Sequence, residues 1–354
     1  MKKIVILLLS ILSFTSCKKE VKKTQVKTEE VVPKPVIKDV AVFKGLQVTG
    51  VTVTQEGRIF VNFPRWRTGV ENAVAEVVNG KTTAYPNAQW NKWEIGQDVN
   101  DSVFVAVQSV VAYKNDLYVL DTRSPQFKGV IGAPKLFVFD LTTNALKRTY
   151  TFPKESFHKD SYINDLRVDP ENGSIYLTDS GHAGLIILNI ETGNAKRVLD
   201  NNVVTKAEVD HLTFEGKEWK NKVNSDGIAI NPINKKLYFH ALSGYTLYAI
   251  DVQTLINGTE AEIEKGVEKI AKTSAPDGMV FDTNGNLYYA DLEHNAIMKM
   301  DAKGVISIFV EGDQVRWADT FSIYNNTLYY TNSRINEVTD PIEKMTFSLN
   351  SIKL

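Results

Sequence analysis

A leucine or isoleucine followed by an aromatic residue recurs six times along this chain, each time after a short turn rich in Gly, Asn and Asp. The six pairs are Ile59-Phe60, Leu117-Tyr118, Ile175-Tyr176, Leu237-Tyr238, Leu287-Tyr288 and Leu328-Tyr329. They lie roughly 40–60 residues apart, which is a period typical of repeat folds. Because the unit recurs through most of the chain, we expect a fold built from six copies of one small structure.

Each unit begins with two β-rich runs around the polar turn, a pattern that predicts a hairpin. Several units add a second hairpin, most clearly at residues 135–152, 184–199 and 296–310. Four strands per unit at this period predict an all-β fold, a six-bladed β-propeller with four-stranded antiparallel blades. The last unit has room for only three strands after Ala318, so a strand near residues 40–47 should complete it and close the ring. The helix-prone stretch near 258–270 should be an insertion or an outer strand.

Residues 1–17 have the features of a secretory leader. Lys2 and Lys3 precede an apolar run over residues 4–12, which is far shorter than the ~20 residues that a membrane-spanning helix needs. Cys17 is the only cysteine and ends this segment. It resembles the lipidated cysteine of a bacterial lipobox, the alternative being an ordinary secretory signal with an incidental cysteine.

Residues 18–39 contain no aromatic residue and are rich in Lys, Glu, Val, Thr and Pro. Such a composition buries too little apolar surface to fold, so it predicts a flexible tether before a propeller at 40–354. We therefore predict a monomer in the cell envelope, anchored by the lipid on Cys17 to the periplasmic or outer-membrane face. The lipid would be its one contact with the membrane.

Composition excludes several other functions. The net charge is −1 with 23% charged residues, and no basic patch alternates with aromatic residues, so a nucleic-acid partner is not expected. The sequence contains no GxSxG, HExxH, P-loop or GxGxxG motif, which removes the local mechanics of serine hydrolases, zincins and nucleotide-binding enzymes. The five histidines show no metal-ligand spacing. His240 alternates with apolar residues and suggests a core histidine, or a proton shuttle if it faces the channel.

Acidic residues recur where the first strand of a unit begins. These are Asp165, Asp226, Asp277 and Asp319, while Ser109 and Thr49 or Gly50 stand in the other two units. First strands line the channel of a propeller, so the four carboxylates should converge and be hydrated, partly protonated or neutralised by a cation. They predict a pocket for a small ligand, either an organic ammonium group or a metal ion. Aromatic residues near the same strand ends could pack on a cation: Trp66, Tyr113, Trp317 and Phe321.

Two simpler interpretations apply to these acids. Each Asp could accept backbone N–H bonds in a turn, with the following Gly permitting the turn. The acids that follow the aromatic pair, Asp121, Asp179 and Asp291, with Asn332 equivalent, are expected only to cap turns.

Several segments together resemble the major royal jelly protein/Yellow family. They include RIFVNFPRWRTGV, LYVLDTRSP, SDGIAINPINKKLYFHAL, PDGMVFDTNGNLYYADL and RWADTFSIYNNTLYYTNSR, and the match runs from about Val48 to Arg334. The resemblance implies a six-bladed propeller and several activities: dopachrome conversion, binding of small aromatic amines on the axis, or nutritive and structural roles. His182 departs from the family pattern, which places a small residue at this position.

The chain also resembles regucalcin and the gluconolactonases locally, which implies a divalent metal at the channel mouth, Ca²⁺ being the preferred candidate. Their metal-binding positions fall on Asn164, Asp226 and Asp277, while their first-blade glutamate falls on Thr49. We therefore carry two hypotheses. The first is a binding propeller whose ligand is cationic, aromatic or metal-chelated. The alternative is an enzyme, a metal-dependent lactonase or a dopachrome-tautomerase-like isomerase, in which Asp277 and His240 are the candidate catalytic residues. A carboxylate near Thr49, from Glu56 or Glu71, would favour the lactonase.

Overall fold

The strands of the described residues form seven β-sheets. The computed structural model describes Met1 and residues 35–354, so the predicted leader, Cys17 and nearly all of the predicted tether lie outside the described residues. Six of the sheets have four antiparallel strands each, and the seventh is a two-stranded ribbon. No helix within 35–354 combines the length and apolar character needed to cross a bilayer.

The first three blades follow the chain in order, each built from the axis outward. The first strand of the described residues is β1 (Ile37–Lys44). Blade one is β2 (Gly50–Val53), β3 (Ile59–Asn62), β4 (Val74–Val78) and β5 (Lys81–Ala84). Blade two is β6 (Val107–Tyr113), β7 (Asp116–Asp121), β8 (Lys135–Asp140) and β9 (Leu146–Thr151). Blade three is β10 (Ile163–Asp169), β11 (Ser174–Asp179), β12 (Gly184–Asn189) and β13 (Ala195–Val198).

The second half adds the ribbon and three further blades. The ribbon is β14 (Leu212–Phe214) and β15 (Lys217–Trp219). Blade four is β16 (Ser225–Ile230), β17 (Lys236–Ala241), β18 (Thr246–Asp251) and β19 (Glu268–Lys272). Blade five is β20 (Met279–Phe281), β21 (Leu287–Asp291), β22 (Ala296–Met300) and β23 (Ile306–Glu311). Blade six contains β24 (Ala318–Tyr324), β25 (Thr327–Asn332) and β26 (Thr346–Lys353).

Helical segments are short and lie between strands. The α-helices are α1 (Ala88–Asn91), α2 (Val252–Asn257) and α3 (Glu260–Gly266). Single 3-10 turns occupy Pro125–Phe127, Lys154–Ser156, Pro170–Asn172, Ile335–Glu337 and Ile342–Lys344. Thr259 caps α3 in a reciprocal capping box with Glu262, which satisfies two N–H groups that the helix itself cannot. The stretch near 258–270, predicted to be an insertion or an outer strand, contains both. Helix α3 is the insertion, and it leads directly into β19, the outer strand of blade four.

The six blades form a closed ring, as the repeats predict. The innermost strands contact one another in the order β2, β6, β10, β16, β20 and β24, and β24 contacts β2 again. The six aromatic pairs all lie on the second strand of a blade. In the hairpin turns that precede them, Gly173 and Gly285 have φ values of 62° and 80°, a conformation that glycine adopts without a steric penalty.

Ring closure comes from the N-terminal strand. β1 pairs antiparallel with β26, from Ile37 opposite Ile352 to Lys44 opposite Thr346. It therefore supplies the fourth strand of blade six, as predicted, although it begins at Ile37, slightly before the predicted start of the domain. Since the first and last strands share one sheet, the two ends of the propeller are held together by backbone hydrogen bonds.

Most of the core lies between the faces of adjacent blades. One cluster joins Phe43 and Phe347 of blade six to Val51 and Val61 of blade one, and Phe43 packs edge-on against Phe63 with ring centroids 5.3 Å apart. Residues of alternate strand positions supply this core because a half-buried strand sends every second side chain to the same face.

Of the acids after the aromatic pairs, Asp121 and Asp179 accept backbone N–H groups in turns, as predicted, whereas Asp291 is bonded to the His294 ring. Asp121 accepts hydrogen bonds from the backbone N–H groups of Val105 and Ala106 at 2.7 and 2.8 Å. Asp179 accepts from the N–H groups of Tyr162 and His182. Each of these carboxylates ties the end of the second strand to the segment that leads into the first, and so fixes the position of the channel-facing residues.

The packing of Phe43 generates a stability prediction. Phe43→Ala should destabilise the protein by about 3–5 kcal/mol, because it leaves a cavity where β1 closes the ring. Val42→Ala on the same strand is the control, since Val42 is 54% exposed and should change stability by no more than about 0.5 kcal/mol. Denaturant unfolding measures both. Equal effects of the two substitutions would show that β1 does not close the ring in solution.

Candidate functional site

A β-bulge at the start of the innermost strand is shared by several blades. The pairing register shifts between Val107 and Ser109 in blade two, between Ile163 and Leu166 in blade three, between Ser225 and Ile228 in blade four, and between Ala318 and Phe321 in blade six. A bulge inserts an extra residue and re-aims side chains relative to the sheet. The polar residues in these bulges thereby face the channel rather than a neighbouring blade.

The register defines which residues are equivalent around the axis. Aligning the blades on their strand pairing gives one ring: Thr49, Gln108, Asn164, Asp226, Asp277 and Asp319. Asp165 falls one position later, where the other blades have Gly50, Ser109, Gly227, Gly278 and Thr320. Asn164, rather than Asp165, is thus the equivalent of the three acids. The sequence-based prediction was therefore wrong by one residue in blades two and three, where it named Ser109 and Asp165.

Asp165 is compensated by a cation within the fold. Arg167 Nη1 lies 2.8 Å from Asp165 Oδ2, and Ser109 Oγ donates to Asp165 Oδ1 at 2.8 Å. Arg167 Nη2 also donates to the carbonyl of Met279 at 3.0 Å, so its guanidinium reaches from blade three to blade five. Asp165 is not among the residues that line the cavity described below, and we assign it to this internal ion pair.

The other three acids are buried side by side without such a partner. Asp226, Asp277 and Asp319 are 4%, 8% and 7% exposed. Burial raises the pKa of Asp277 to about 7. Burial, together with the charge of Asp277, also raises the pKa of Asp226 and Asp319 well above the ordinary range. The two carboxyls affect each other, since contact with Asp226 lowers the pKa of Asp277 and the charge of Asp277 raises the pKa of Asp226, so the pair holds a proton near neutral pH.

A chain of hydrogen bonds connects these acids to the mouth of the channel. Trp66 Nε1 donates to the Tyr162 hydroxyl at 2.6 Å, which donates to Gln108 Oε1 at 2.6 Å. Gln108 Nε2 then donates to Asn164 Oδ1 at 2.7 Å, and the neighbouring Asn164 side chain partly offsets the raised pKa of Asp226. Because every link uses a fixed donor, the orientation of the Asn164 amide toward the acid is determined by its neighbours.

The acids form the floor of a cavity of about 520 Å³. Two aromatic walls rise above them. On one side, Phe127 packs between Trp66 and Tyr162, with ring centroids 5.1 and 4.7 Å away. On the other, Trp219 from the ribbon packs edge-on against Trp317 at 5.0 Å. The mouth carries two cations, which are Arg67 and Lys222.

Trp317 has an unusual backbone. Its φ is +61°, a left-handed conformation that is rare for a bulky residue and is retained mainly at functional positions. The ring is 2% exposed, and its Nε1 donates to Asp277 Oδ2 at 2.7 Å. Trp317 thus directs its Nε1–H group at Asp277, and its aromatic ring lines the cavity.

The structure gathers most of the sequence-predicted residues and separates others. Asn164, Asp226, Asp277, Asp319, Trp66 and Trp317 line the cavity. Phe321 lies in a core cluster between blades, and Tyr113 lies by the hairpin turns at the other end of the strands. His240 is 1% exposed, and its ring bonds the Ala241 carbonyl and Thr273 Oγ1. Burial lowers the pKa of His240 to about 4, so it is a neutral core histidine and no proton shuttle for this cavity.

The cavity residues that sequence reasoning missed include Gln108, Phe127, Tyr162 and Trp219. Gln108 stands in the ring position of blade two and could have been found from the repeat phase. Phe127, Tyr162 and Trp219 lie in connections of different length outside the repeating strands. Nothing in the repeat predicts that they meet.

The first blade adds no acid to the site. Within residues 35–354, the cavity lining includes no carboxylate from blade one. Thr49 instead accepts a hydrogen bond from Asn62 Nδ2 at 3.0 Å. Glu56 is exposed, and Glu71 lines a separate groove with Arg65 and Glu94. The feature that would favour the lactonase is therefore not found among the described residues.

The raised pKa of Asp277 predicts how stability depends on pH. As pH rises from about 4 to about 7, the unfolded chain releases this proton while the folded protein keeps it, so the wild type loses stability over that window. Asp277→Asn cannot ionise. Between pH 4.5 and about pH 8, the free energy of unfolding of Asp277→Asn should therefore rise relative to that of the wild type by at least about 1.4 kcal/mol, the equivalent of one pKa unit.

Urea unfolding at both pH values measures this difference. Asp226→Asn should show the same sign, and the double variant should gain less than the sum of the two, because one proton is shared. A difference between wild type and Asp277→Asn that stays constant with pH would contradict the burial of a protonated acid.

Comparisons with known proteins agree with this architecture. A family model described as major royal jelly protein matches residues 105–338. Major royal jelly protein 3 of Apis mellifera is 25% identical over 243 residues, covering 65% of this chain and 44% of the relative. Protein yellow of Drosophila guanche is 25% identical over 228 residues, covering 58% of this chain and 39% of the relative. The chain spans about half the length of the first relatives it matches.

Among solved structures, the calcium-binding protein regucalcin from Agrobacterium tumefaciens superposes with a TM-score of 0.51 at 15% identity. The superposition covers 88% of this chain and 92% of regucalcin, and at this identity it shows the fold alone. The family model spans most of blades two to six, including five of the six ring positions. The chain therefore belongs to the major royal jelly protein family.

Proposed function

We propose that this propeller binds a small aromatic amine in its axial cavity. Three buried carboxyls beneath two aromatic walls carry this proposal. An ammonium group would take the place of the shared proton between Asp226 and Asp277, and the ring of the ligand would lie between Phe127 and Trp219. A cation packed against aromatic faces gains electrostatic stabilisation from the ring quadrupoles, and more when it is desolvated.

The size of the cavity suits such a ligand. About 520 Å³ lies within the range of small-molecule sites, which are mostly apolar with a few fixed polar groups. The carboxyls lie at the floor and two cations at the mouth, while Trp66, Trp219 and Leu242 supply apolar surface. Arg67 and Lys222 at the mouth would repel a second positive charge on the ligand. They therefore favour a ligand whose ammonium end reaches the floor and whose other end is neutral or negative.

A divalent cation is the alternative occupant, since regucalcin is a calcium-binding protein. Ca²⁺ takes six to eight oxygen ligands. Three carboxyls converge here, but Asn164 Oδ1 already accepts from Gln108 and Asp277 Oδ2 from Trp317. Thr49 is bonded to Asn62. The donor set thus supports a single ammonium better than a fully coordinated calcium ion.

An enzymatic role depends on the same acids. Asp277, with its pKa raised to about 7, is suited to general acid–base catalysis near neutral pH. This observation favours a tautomerase-like proton transfer over a metal-dependent lactonase, for which blade one lacks the carboxylate. Chromatography of a ligand before and after incubation distinguishes binding from turnover.

Binding of aromatic amines tests the proposal directly. Calorimetric titration of the full chain with tryptamine, tyramine and dopamine, beside their parent amino acids, should show saturable binding of at least one amine. Asp277→Asn should weaken that affinity at least tenfold, because removing one partner of a buried charge pair costs about 2–5 kcal/mol. Ca²⁺ titration and lactone hydrolysis are run in parallel.

The matched control is Asp282→Asn. Asp282 lies on the same blade and is 9% exposed, but it caps the hairpin turn after β20. The Asp282→Asn substitution removes the same charge and should leave the affinity for the amine unchanged. If no amine binds, or if both variants bind equally well, the axial cavity is not an amine site. If the protein binds calcium and only Asp277→Asn loses that binding, the axial cavity is a calcium site.

We also propose that the protein is lipid-anchored in the cell envelope through Cys17. Support comes from the lipobox-like position of this cysteine after a short apolar run and from the tether-like composition that follows it.

Cys17→Ser should release the protein from the membrane fraction into the soluble fraction. Metabolic labelling with a palmitate analogue should mark the wild type and not the variant. Ser16→Ala controls for a change next to the cysteine and should remain labelled. A wild type that fractionates as a soluble protein without label would contradict the anchor.

A further inference from the structure

Two histidines and an aspartate meet on the outer edge of blade three, away from the acids of the axis. His158 lies in the connection that leads into β10, His182 in the turn between β11 and β12, and Asp200 just after β13. One ligand atom from each lies within 4.8 Å of the others. His158 Nε2 is 3.1 Å from Asp200 Oδ1, and His182 Nε2 is 3.7 Å from the same oxygen.

The two imidazole rings are stacked side by side. Their centroids are 3.8 Å apart and their planes differ by 27°. Both rings thus turn an Nε2 edge toward Asp200.

A further carboxylate orients His182 from behind. Asp160 Oδ1 lies 3.1 Å from His182 Nδ1, so Nδ1 carries the proton and Nε2 is free to accept. Metal-binding histidines almost always donate their other ring N–H to such a partner, which fixes the tautomer and the ring orientation. Asp200 is oriented in turn by Arg197 Nε.

The local charges leave room for a divalent cation. Arg197 is shared between Asp200 and the buried Asp179, with Nη1 2.9 Å from Asp179 Oδ2. With Asp160 included, the cluster contains three carboxylates and one guanidinium, a formal excess of two negative charges before the histidines are counted. A divalent ion would balance them.

We propose that His158 Nε2, His182 Nε2 and an Asp200 carboxylate oxygen bind Zn²⁺. Two imidazoles and one carboxylate are typical zinc ligands, with Zn–N and Zn–O distances of about 2.0–2.2 Å, and a water completes the tetrahedron. Donor atoms separated by 3.1 and 3.7 Å are close to the edges of such a tetrahedron. Calcium, which prefers oxygen ligands, is a poor match. The metal replaces the proton between His158 and Asp200, so its binding releases a proton.

The zinc would join three connections that border the axial cavity. Ser180 and Gly181, directly before His182, line that cavity, and Tyr162 follows His158 by a single turn that Asp179 caps. The site is therefore separate from the axial acids but fixes one side of the mouth. Its role is structural, and it stands whether or not the cavity binds an amine.

Equilibrium dialysis against ⁶⁵Zn²⁺ tests the site, with the full chain in a Cys17→Ser background so that no thiol competes. We expect one zinc per chain. His158→Ala and His182→Ala should each weaken zinc affinity at least tenfold, and Co²⁺ substitution should give the visible absorption of a tetrahedral centre that both variants lose.

The matched control is His294→Ala. His294 also pairs with an aspartate, its Nδ1 lying 2.8 Å from Asp291 Oδ1, but no second histidine adjoins it, and zinc binding should not change. Asp277→Asn should likewise bind zinc as the wild type does, which separates this site from the axis. Circular dichroism without metal checks that each variant is folded, with His158→Gln replacing any variant that is not. The proposal is overturned if zinc does not bind saturably, or if the His158 and His182 variants retain it.

Discussion

The pairing of β1 with β26 is the interaction on which the rest of this structure depends. It holds the first and last described strands in one sheet, so the ring cannot open without breaking a full row of backbone hydrogen bonds. Only a closed ring directs all six innermost strands at one axis. The convergence of Asp226, Asp277 and Asp319 is therefore a consequence of closure. Residues that lie far apart in the chain share a cavity because its two ends are joined.

That convergence has a cost in stability. Carboxyls buried next to one another favour their protonated forms, because the interior solvates charge poorly and each negative charge raises the pKa of the next. The fold relieves part of the crowding by pairing Asp165 with Arg167 and by donating Trp317 Nε1 to Asp277. It leaves the three remaining acids without a cation. A site that keeps such strain is suited to a positively charged ligand, since binding removes the repulsion.

Blade three links the two proposed sites. Its innermost strand carries Asn164, which faces the axial acids, while its outer connections carry His158, His182 and Asp200. The two sets of side chains use different chemistry, oxygen donors on the axis and imidazoles at the edge. Both sets adjoin the segments around Tyr162 and Gly181. By holding these segments in place, the outer cluster could influence the cavity without contacting its ligand.

The repeats alone determined the fold, the number of blades, the strand that closes the ring and three of the four acids predicted at the axis. These follow from periodicity, because strand pairing is local and each unit carries its own turn residues. The sequence could not locate the bulge in blade three, and a shift of one residue moved Asp165 away from the cavity and Asn164 into it. Nor could the sequence show that Phe127 and Trp219 line the same cavity, or that the two stacked histidines meet. These residues lie in connections of unequal length, and only tertiary structure decides which connections meet.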